Sequence, residues 1–450
     1  MVFKAFNYLI DRLENPLVQR CCSVSSKSLL VHNKSILAQK KQDLVNLYNT
    51  KIREQVLLNE KYIAIQEGII EVVCYSSAEN YNKETIRQNL VEMMKTWIAY
   101  LNEVEKKITT QNPANLSSQE IDIIGKLTGV LKSFARGFYE GLDSINISIM
   151  GEIFKEIWPK LKIIINAFST NVDIIENIIQ FTKHFMRGMK DDFKVYLEDY
   201  IKCLIEGYKI SPISSYLYGF EVLVTVFYKD SSVRTIINNL FNEFCQITFD
   251  NYLTSLTDVK VGSELGEDFF GMINRLIKLS PFVLLDSPQF EKIIKLCVDS
   301  IGIKEMEIEK TILVFLHKIL NYKNSGILTD APPDVAEIYQ RNIVLLVEKY
   351  SDEIVKRVLT DIYSVPPAVI IDFLKDLIFK FIELSSDSAI KGFSKHLAAL
   401  PSDCLTKKEK EQFLDCVRNF KEDKMDSIID KLISRCQNKH IRDQPLSTVV

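Results

Sequence analysis

The side chains best suited to metal binding or nucleophilic catalysis are five histidines, His32, His184, His317, His396 and His440, and nine cysteines, Cys21, Cys22, Cys74, Cys203, Cys245, Cys297, Cys404, Cys416 and Cys436. Zinc needs such ligands at short, fixed spacing, and a general base must reach the proton it removes. The cysteines form no CxxC pair, and no two histidines stand within helical reach of one another. The Gly-rich phosphate loop, the G-x-S-x-G elbow and the H-E-x-x-H helix are all missing from the sequence. The expectation is therefore a protein that is not an enzyme and needs no cofactor or metal. Acidic pairs such as Asp191-Asp192 fall at helix starts, where they complement the helix dipole. Trp97 and Trp158 could anchor a partner, but stacked helices offer gaps that indoles fill, and that reading is preferred. Thr448-Val449-Val450 matches the carboxyl-terminal pattern that PDZ domains take up as an added strand.

The elements that position these residues follow from composition. The chain has 450 residues, 47% of them hydrophobic and 26% charged, enough apolar surface for a large core and enough charge for a soluble exterior. With 56 basic against 59 acidic residues the net charge is −3, which argues against direct nucleic-acid binding. Most cysteines sit among apolar residues, as Cys203 does in DYIKCLIEGY, so a reducing compartment is expected, in the cytoplasm and nucleus. The N-x-S matches at Asn33, Asn115 and Asn146 then carry no sugar. The first residues, MVFKAFNYLIDRLENP, lack the apolar stretch of a signal peptide, and apolar runs such as Ile312–Leu316 are too short for membrane insertion.

Helical periodicity recurs from end to end. Ser287 is placed as an N-cap with Pro288 at the first helical position, followed by Phe290, Ile293, Ile294, Cys297 and Ile301 at helical spacing. Capping boxes are read at Ser117 with Glu120 and at Thr406 with Glu409. Behind Ser117 runs the stripe Leu127, Leu131, Phe134 and Phe138. Pro159, in EIFKEIWPKLKIII, is expected to kink its helix or start a new one. Turn residues divide the chain into about 17–20 helices, and pairs of them give a unit of roughly 45 residues, the range of HEAT and armadillo repeats. Longer loops are expected around Thr257–Glu267 and Tyr322–Pro333. The expected fold is all-α: a HEAT-like helical-repeat solenoid of stacked antiparallel helix pairs over residues 1–436, with a flexible tail at 437–450. Such arrays bind partners on their concave wall.

Several segments resemble, in order, the carboxyl-terminal half of the transportin-SR and importin-thirteen branch of the importin-β (karyopherin) receptors. They are Glu67–Tyr75 (EGIIEVVCY), Glu156–Pro159 (EIWP), Tyr216–Asp230 (YLYGFEVLVTVFYKD), Asp268–Ser287 (DFFGMINRLIKLSPFVLLDS) and Val365–Leu384 (VPPAVIIDFLKDLIFKFIEL). The resemblance implies a nuclear transport receptor that carries protein cargo, with import the expected direction, and that meets nuclear pore proteins on the way. It places the main site for the GTPase Ran in amino-terminal repeats, so Ran binding is expected only where such a half exists. In transportin-SR receptors an arginine-studded helix holds phosphorylated serine/arginine-rich cargo. The matching helix here is Val172–Lys190, with core stripe Ile175, Ile178, Ile179, Thr182 and Met186 and polar face Glu176, Gln180, Lys183, His184 and Arg187. At the positions of the family's arginines stand Asn177, Gln180, Lys183 and Arg187. Two are basic, and lysine lacks the planar fork that grips a phosphate. Lys183 and Arg187 read as cargo contacts or, with the greater weight, as a solvated face, and a HEAT scaffold outside transport is the competing function.

Overall fold

The computed structural model describes residues 1–75, 82–141, 147–253, 263–329, 331 and 333–443. No strand occurs among the described residues, as the missing two-residue alternation predicts. The chain divides into two compact units, Met1–Phe227 and Tyr228–Val450.

In the first unit the helices are α1 (Val2–Ile10), α2 (Gln19–His32), α3 (Lys34–Leu37), α4 (Lys41–Leu47), α5 (Arg53–Leu58) and α6 (Ile63–Cys74). They are followed by α7 (Lys83–Thr110), α8 (Ser118–Glu140), α9 (Ile147–Ala167), α10 (Val172–Met189), α11 (Leu197–Ile210) and α12 (Ser214–Phe227). They stack in two layers: α2, α6, α8, α10 and α12 pack side by side in one, and α7, α9 and α11 in the other. Side-chain caps set the start of α7, α8 and α10. Ser117 and Glu120 exchange the reciprocal bonds of a capping box, and Asn171 Oδ1 accepts the Ile174 amide to open α10. The stripe Leu127, Leu131, Phe134 and Phe138 is buried throughout, and burying side chains of this size stabilises by about 1.5–3 kcal/mol apiece. Trp97 and Trp158 are both inside, as fillers between helices. Trp97 Nε1 donates to Tyr48 Oη at 2.7 Å, and Tyr48 Oη donates to Gln66 Oε1 at 2.8 Å. Gln66 Nε2 donates in turn to the Val130 carbonyl at 3.0 Å, so a buried polar relay crosses from α7 to α8. Pro159 neither ends α9 nor starts a new helix, because the element runs unbroken from Ile147 to Ala167.

Glycine sets the distance between α6 and α8. A Cβ built on Gly137 would lie 2.6 Å from the Glu67 carbonyl oxygen, and one on Gly141 would lie 2.6 Å from that of Glu71. Backbone therefore rests on backbone at this joint.

The second unit contains α13 (Ser231–Asn251), α14 (Ser263–Leu279), α15 (Pro281–Leu285), α16 (Phe290–Asp299), α17 (Met306–Leu320) and α18 (Pro333–Lys349). After them come α19 (Ser351–Ser364), α20 (Ala368–Leu384), α21 (Ser386–Ala399), α22 (Lys407–Asn419) and α23 (Glu422–Asp443). Here α14, α17 and α20 pack in one row, while α19 contacts both α16 and α21. Ser287 Oγ accepts the Gln289 amide at 3.0 Å, but α16 proper begins at Phe290, so Pro288 sits in the preceding turn. Of the expected loop at Thr257–Glu267, the part before Ser263 lies outside the described residues, and Glu264 to Glu267 are helical. The final helix runs to Asp443, and Thr448-Val449-Val450 lies outside the described residues.

Two acids are buried together in this unit. Glu309 on α17 is 3% exposed and Asp361 on α19 is 4% exposed. The Gly302 amide donates to Glu309 Oε1 at 2.7 Å, and Ser364 Oγ donates to Asp361 Oδ1 at 3.2 Å. Burial, then the hydrogen bond to Asp361 and that group's charge, push the Glu309 carboxyl up to about 8 from its ordinary 4.5. Glu309 is thus the protonated member and donates to Asp361. Between those two values the folded chain holds a proton that the unfolded chain releases, so stability falls as pH rises through the window. Urea midpoints measured across it should decline for the native protein. Glu309→Gln, which keeps a donor but cannot ionise, should flatten that decline, and an unchanged slope would show that the proton lies elsewhere.

Candidate functional site

The α10 helix presents Asn177, Gln180, Lys183 and Arg187 along one partly exposed line, on the side where α8 and α12 flank it. The core stripe Ile175, Ile178, Ile179, Thr182 and Met186 is buried as the spacing predicts. The helix ends at Met189, and Lys190 takes φ +48°, a conformation that terminates the turn.

The four candidate residues do different things. Asn177 is turned into the fold: its Nδ2 donates to the Gly125 carbonyl at 3.3 Å and to Thr128 Oγ1 at 3.4 Å, both on α8. Gln180 Oε1 accepts from Lys183 Nζ. Lys183 Nζ also donates to Tyr218 Oη on α12 at 3.2 Å and lies 5.6 Å from that ring's centroid, so its ammonium is held in place. Among the described residues, Arg187 carries no ion pair and no hydrogen bond, which leaves its guanidinium fork open.

His184 departs from the expected polar face. It is 7% exposed, its ring lies 5.7 Å from that of Tyr139 on α8, and its Nδ1 has no hydrogen-bond partner. Close packing of α8 on α10 covers this side of the helix. Burial, followed by the charges of Lys183, Arg136, Arg187 and Lys132, pushes the imidazole down to about 3, so it is neutral at physiological pH. These basic neighbours come from two helices. Lys132 and Arg136 of α8 stand on the same side as Lys183 and Arg187 of α10, so the basic face is built from two helices. The Gly125, Gly129, Lys132 and Arg136 spacing is a helix-face signal, but only the pairing of α8 with α10 gives it meaning. Arg136 lies 3.9 Å from Glu67, which Lys27 also engages, while Lys132 has no ion pair among the described residues.

Below this face lies a groove of about 640 Å³ between α5, α8 and α10, lined by Lys61, Lys126, Lys132, Gly125, Gly129 and Asn177 among others. Cβ atoms on Gly125 and Gly129 would make only ordinary contacts, 3.9 Å to Ile174 and 3.5 Å to Asn177. No group of three or more metal-ligating side chains gathers among the described residues, and no helix there is long and apolar enough to cross a membrane. Eight cysteines are buried and Cys21 is exposed.

Layered helix pairs, with an open polar face on one layer, define a helical-repeat array. Residues 150–252, which include α10, match the family model of the transportin-3/importin-13 fourth TPR domain. A structure of importin-13 in its cytosolic state superposes with a TM-score of 0.76, covering 96% of this chain and 47% of that one at 14% identity. The fold is therefore that of importin-13. An uncharacterized protein of Schizosaccharomyces pombe, C11G11.07, is 25% identical over 173 residues, 38% of this chain and 18% of the yeast protein. The chain thus spans less than half the length of the proteins it matches.

Proposed function

We propose that this chain is the cargo-holding part of a nuclear import receptor, with residues 1–436 acting as the repeat array and Lys183 and Arg187 contacting an acidic or phosphorylated stretch of protein cargo. The observation that carries the reading is the coincidence of the matched segment, 150–252, with the basic face of α10. Asn177 and Gln180 are positioning residues in this scheme, since they hold the α8 backbone and the Lys183 ammonium. Serine/arginine-rich proteins carrying phosphate are the cargo class that best fits an open guanidinium beside a fixed ammonium. The receptor shuttles between cytoplasm and nucleus, contacts nuclear pore proteins, catalyses no reaction, and depends on further repeats for Ran.

The test uses the full chain and a fluorescein-labelled serine/arginine-repeat peptide, phosphorylated and not, at constant salt. Lys183→Glu with Arg187→Glu should weaken binding of the phosphorylated peptide by about 2 kcal/mol or more, because attraction becomes repulsion at a partly desolvated face. Lys292→Glu with Lys295→Glu, on α16, should leave it unchanged. Equal retention by both double variants would reduce Lys183 and Arg187 to a solvated surface and favour a scaffold outside transport.

A further inference from the structure

The last helix pair carries a second basic groove, remote in sequence from α10. On α22 the side facing it presents Lys408, Glu411, Gln412 and Asp415, and on α23 the facing side presents Lys424, Ser427, Ile428 and Lys431. Each set follows helical one-face spacing over two turns, a run of about 10 Å. The space between them is about 600 Å³, with the nearly buried Cys416 and Ile428 as its apolar floor and Lys421 at the turn between the helices.

Charge is sorted across α23. Asp426 and Asp430 are committed to Lys375 of α20, at 2.8 Å and 2.6 Å, and so do not neutralise the groove. Lys408, Lys424 and Lys431 have no ion pair among the described residues, and Lys421 reaches Asp415 only at 3.8 Å. Against Glu411 and Asp415 stand Lys408, Lys421, Lys424 and Lys431, a local basic excess in a chain whose net charge is −3.

We propose that the α22–α23 groove binds a short acidic protein segment, with carboxylates on Lys408, Lys424 and Lys431 and one apolar side chain over Cys416 and Ile428. A nucleic acid fits less well. The groove has no aromatic side chain and no arginine on which a base could stack, and Glu411 and Asp415 would oppose a continuous phosphate backbone. Discrete carboxylates can avoid those two acids, and the apolar floor rewards a side chain that phosphodiesters lack.

The test is anisotropy titration of the full chain with a fluorescein-labelled oligoglutamate peptide carrying one central leucine. Lys424→Glu with Lys431→Glu should lower affinity at least tenfold, whereas Lys292→Glu with Lys295→Glu should leave it unchanged. Both residues of each pair are partly or fully exposed, so folding is preserved, and circular dichroism checks this. Unchanged affinity in the Lys424/Lys431 variant, or an equal loss in the Lys292/Lys295 variant, would overturn the proposal. Tighter binding of single-stranded oligothymidylate than of the peptide would overturn the choice of partner.

Discussion

Alanine at Gly137 is expected to lower the stability of the protein by about 3 kcal/mol, a large effect for the addition of one methyl group. The new Cβ would fall 2.6 Å from the Glu67 carbonyl oxygen and 3.0 Å from the Glu67 Cα. Both are backbone atoms of α6, so no side-chain rotation relieves the clash, and the two helices must separate. Separation would also stretch the Gln66 bond to the Val130 carbonyl. The matched comparison is Gly129→Ala on the same helix, where the nearest atom is Asn177 Nδ2 at 3.5 Å. There the better helix propensity of alanine should dominate and raise stability by about 0.5–1 kcal/mol. Urea denaturation of the two variants should give midpoints on opposite sides of the parent. A Gly137→Ala midpoint equal to the parent's would show that α6 and α8 are not in backbone contact.

Phe154→Ala is expected to cost about 3–5 kcal/mol, the usual range for emptying a large aromatic site in a packed core. Phe154 is fully buried at the centre of an aromatic cluster. Its ring centroid lies 5.5 Å from Trp158, 5.2 Å from Phe185, 5.2 Å from Phe193 and 4.9 Å from Tyr196. These residues come from α9, α10 and the turn leading to α11, so the ring ties three successive elements. Loss of the edge and stacked contacts adds to the cavity term. Thermal melting followed by circular dichroism reads the effect, and Phe154→Leu should recover a substantial part of it. A loss below about 1 kcal/mol for alanine would mean that the neighbouring rings collapse into the space.

Local signals were plain in the sequence. Both capping boxes form as read, the stripe from Leu127 to Phe138 is buried, and the α10 core stripe faces inward. These features depend only on residues within one helix, where periodicity and capping chemistry act. What escaped depends on which helix lies against which. His184 reads as part of a polar face until α8 covers it, and Lys132 and Arg136 join the site only because α8 packs on α10. Glu309 and Asp361 look like ordinary surface acids in sequence, and only the tertiary fold buries them together. Pro159 starts no new helix, since α9 runs through it and Trp158 beside it stacks on Phe154.

The glycine contact between α6 and α8 also has a mechanical meaning. Most helix joints in a stacked array are cushioned by side chains, which can change rotamer and slide as the array bends. Between α6 and α8 the cushion is missing at Gly137 and Gly141, and carbonyl oxygens meet helix backbone directly. Repulsion between backbone atoms rises steeply with any further approach, and the Gln66 bond resists separation. This joint is therefore a stiff vertebra. Bending of the first unit around a bound partner has to be taken up at joints cushioned by larger side chains, such as α9 on α10 with its aromatic rings.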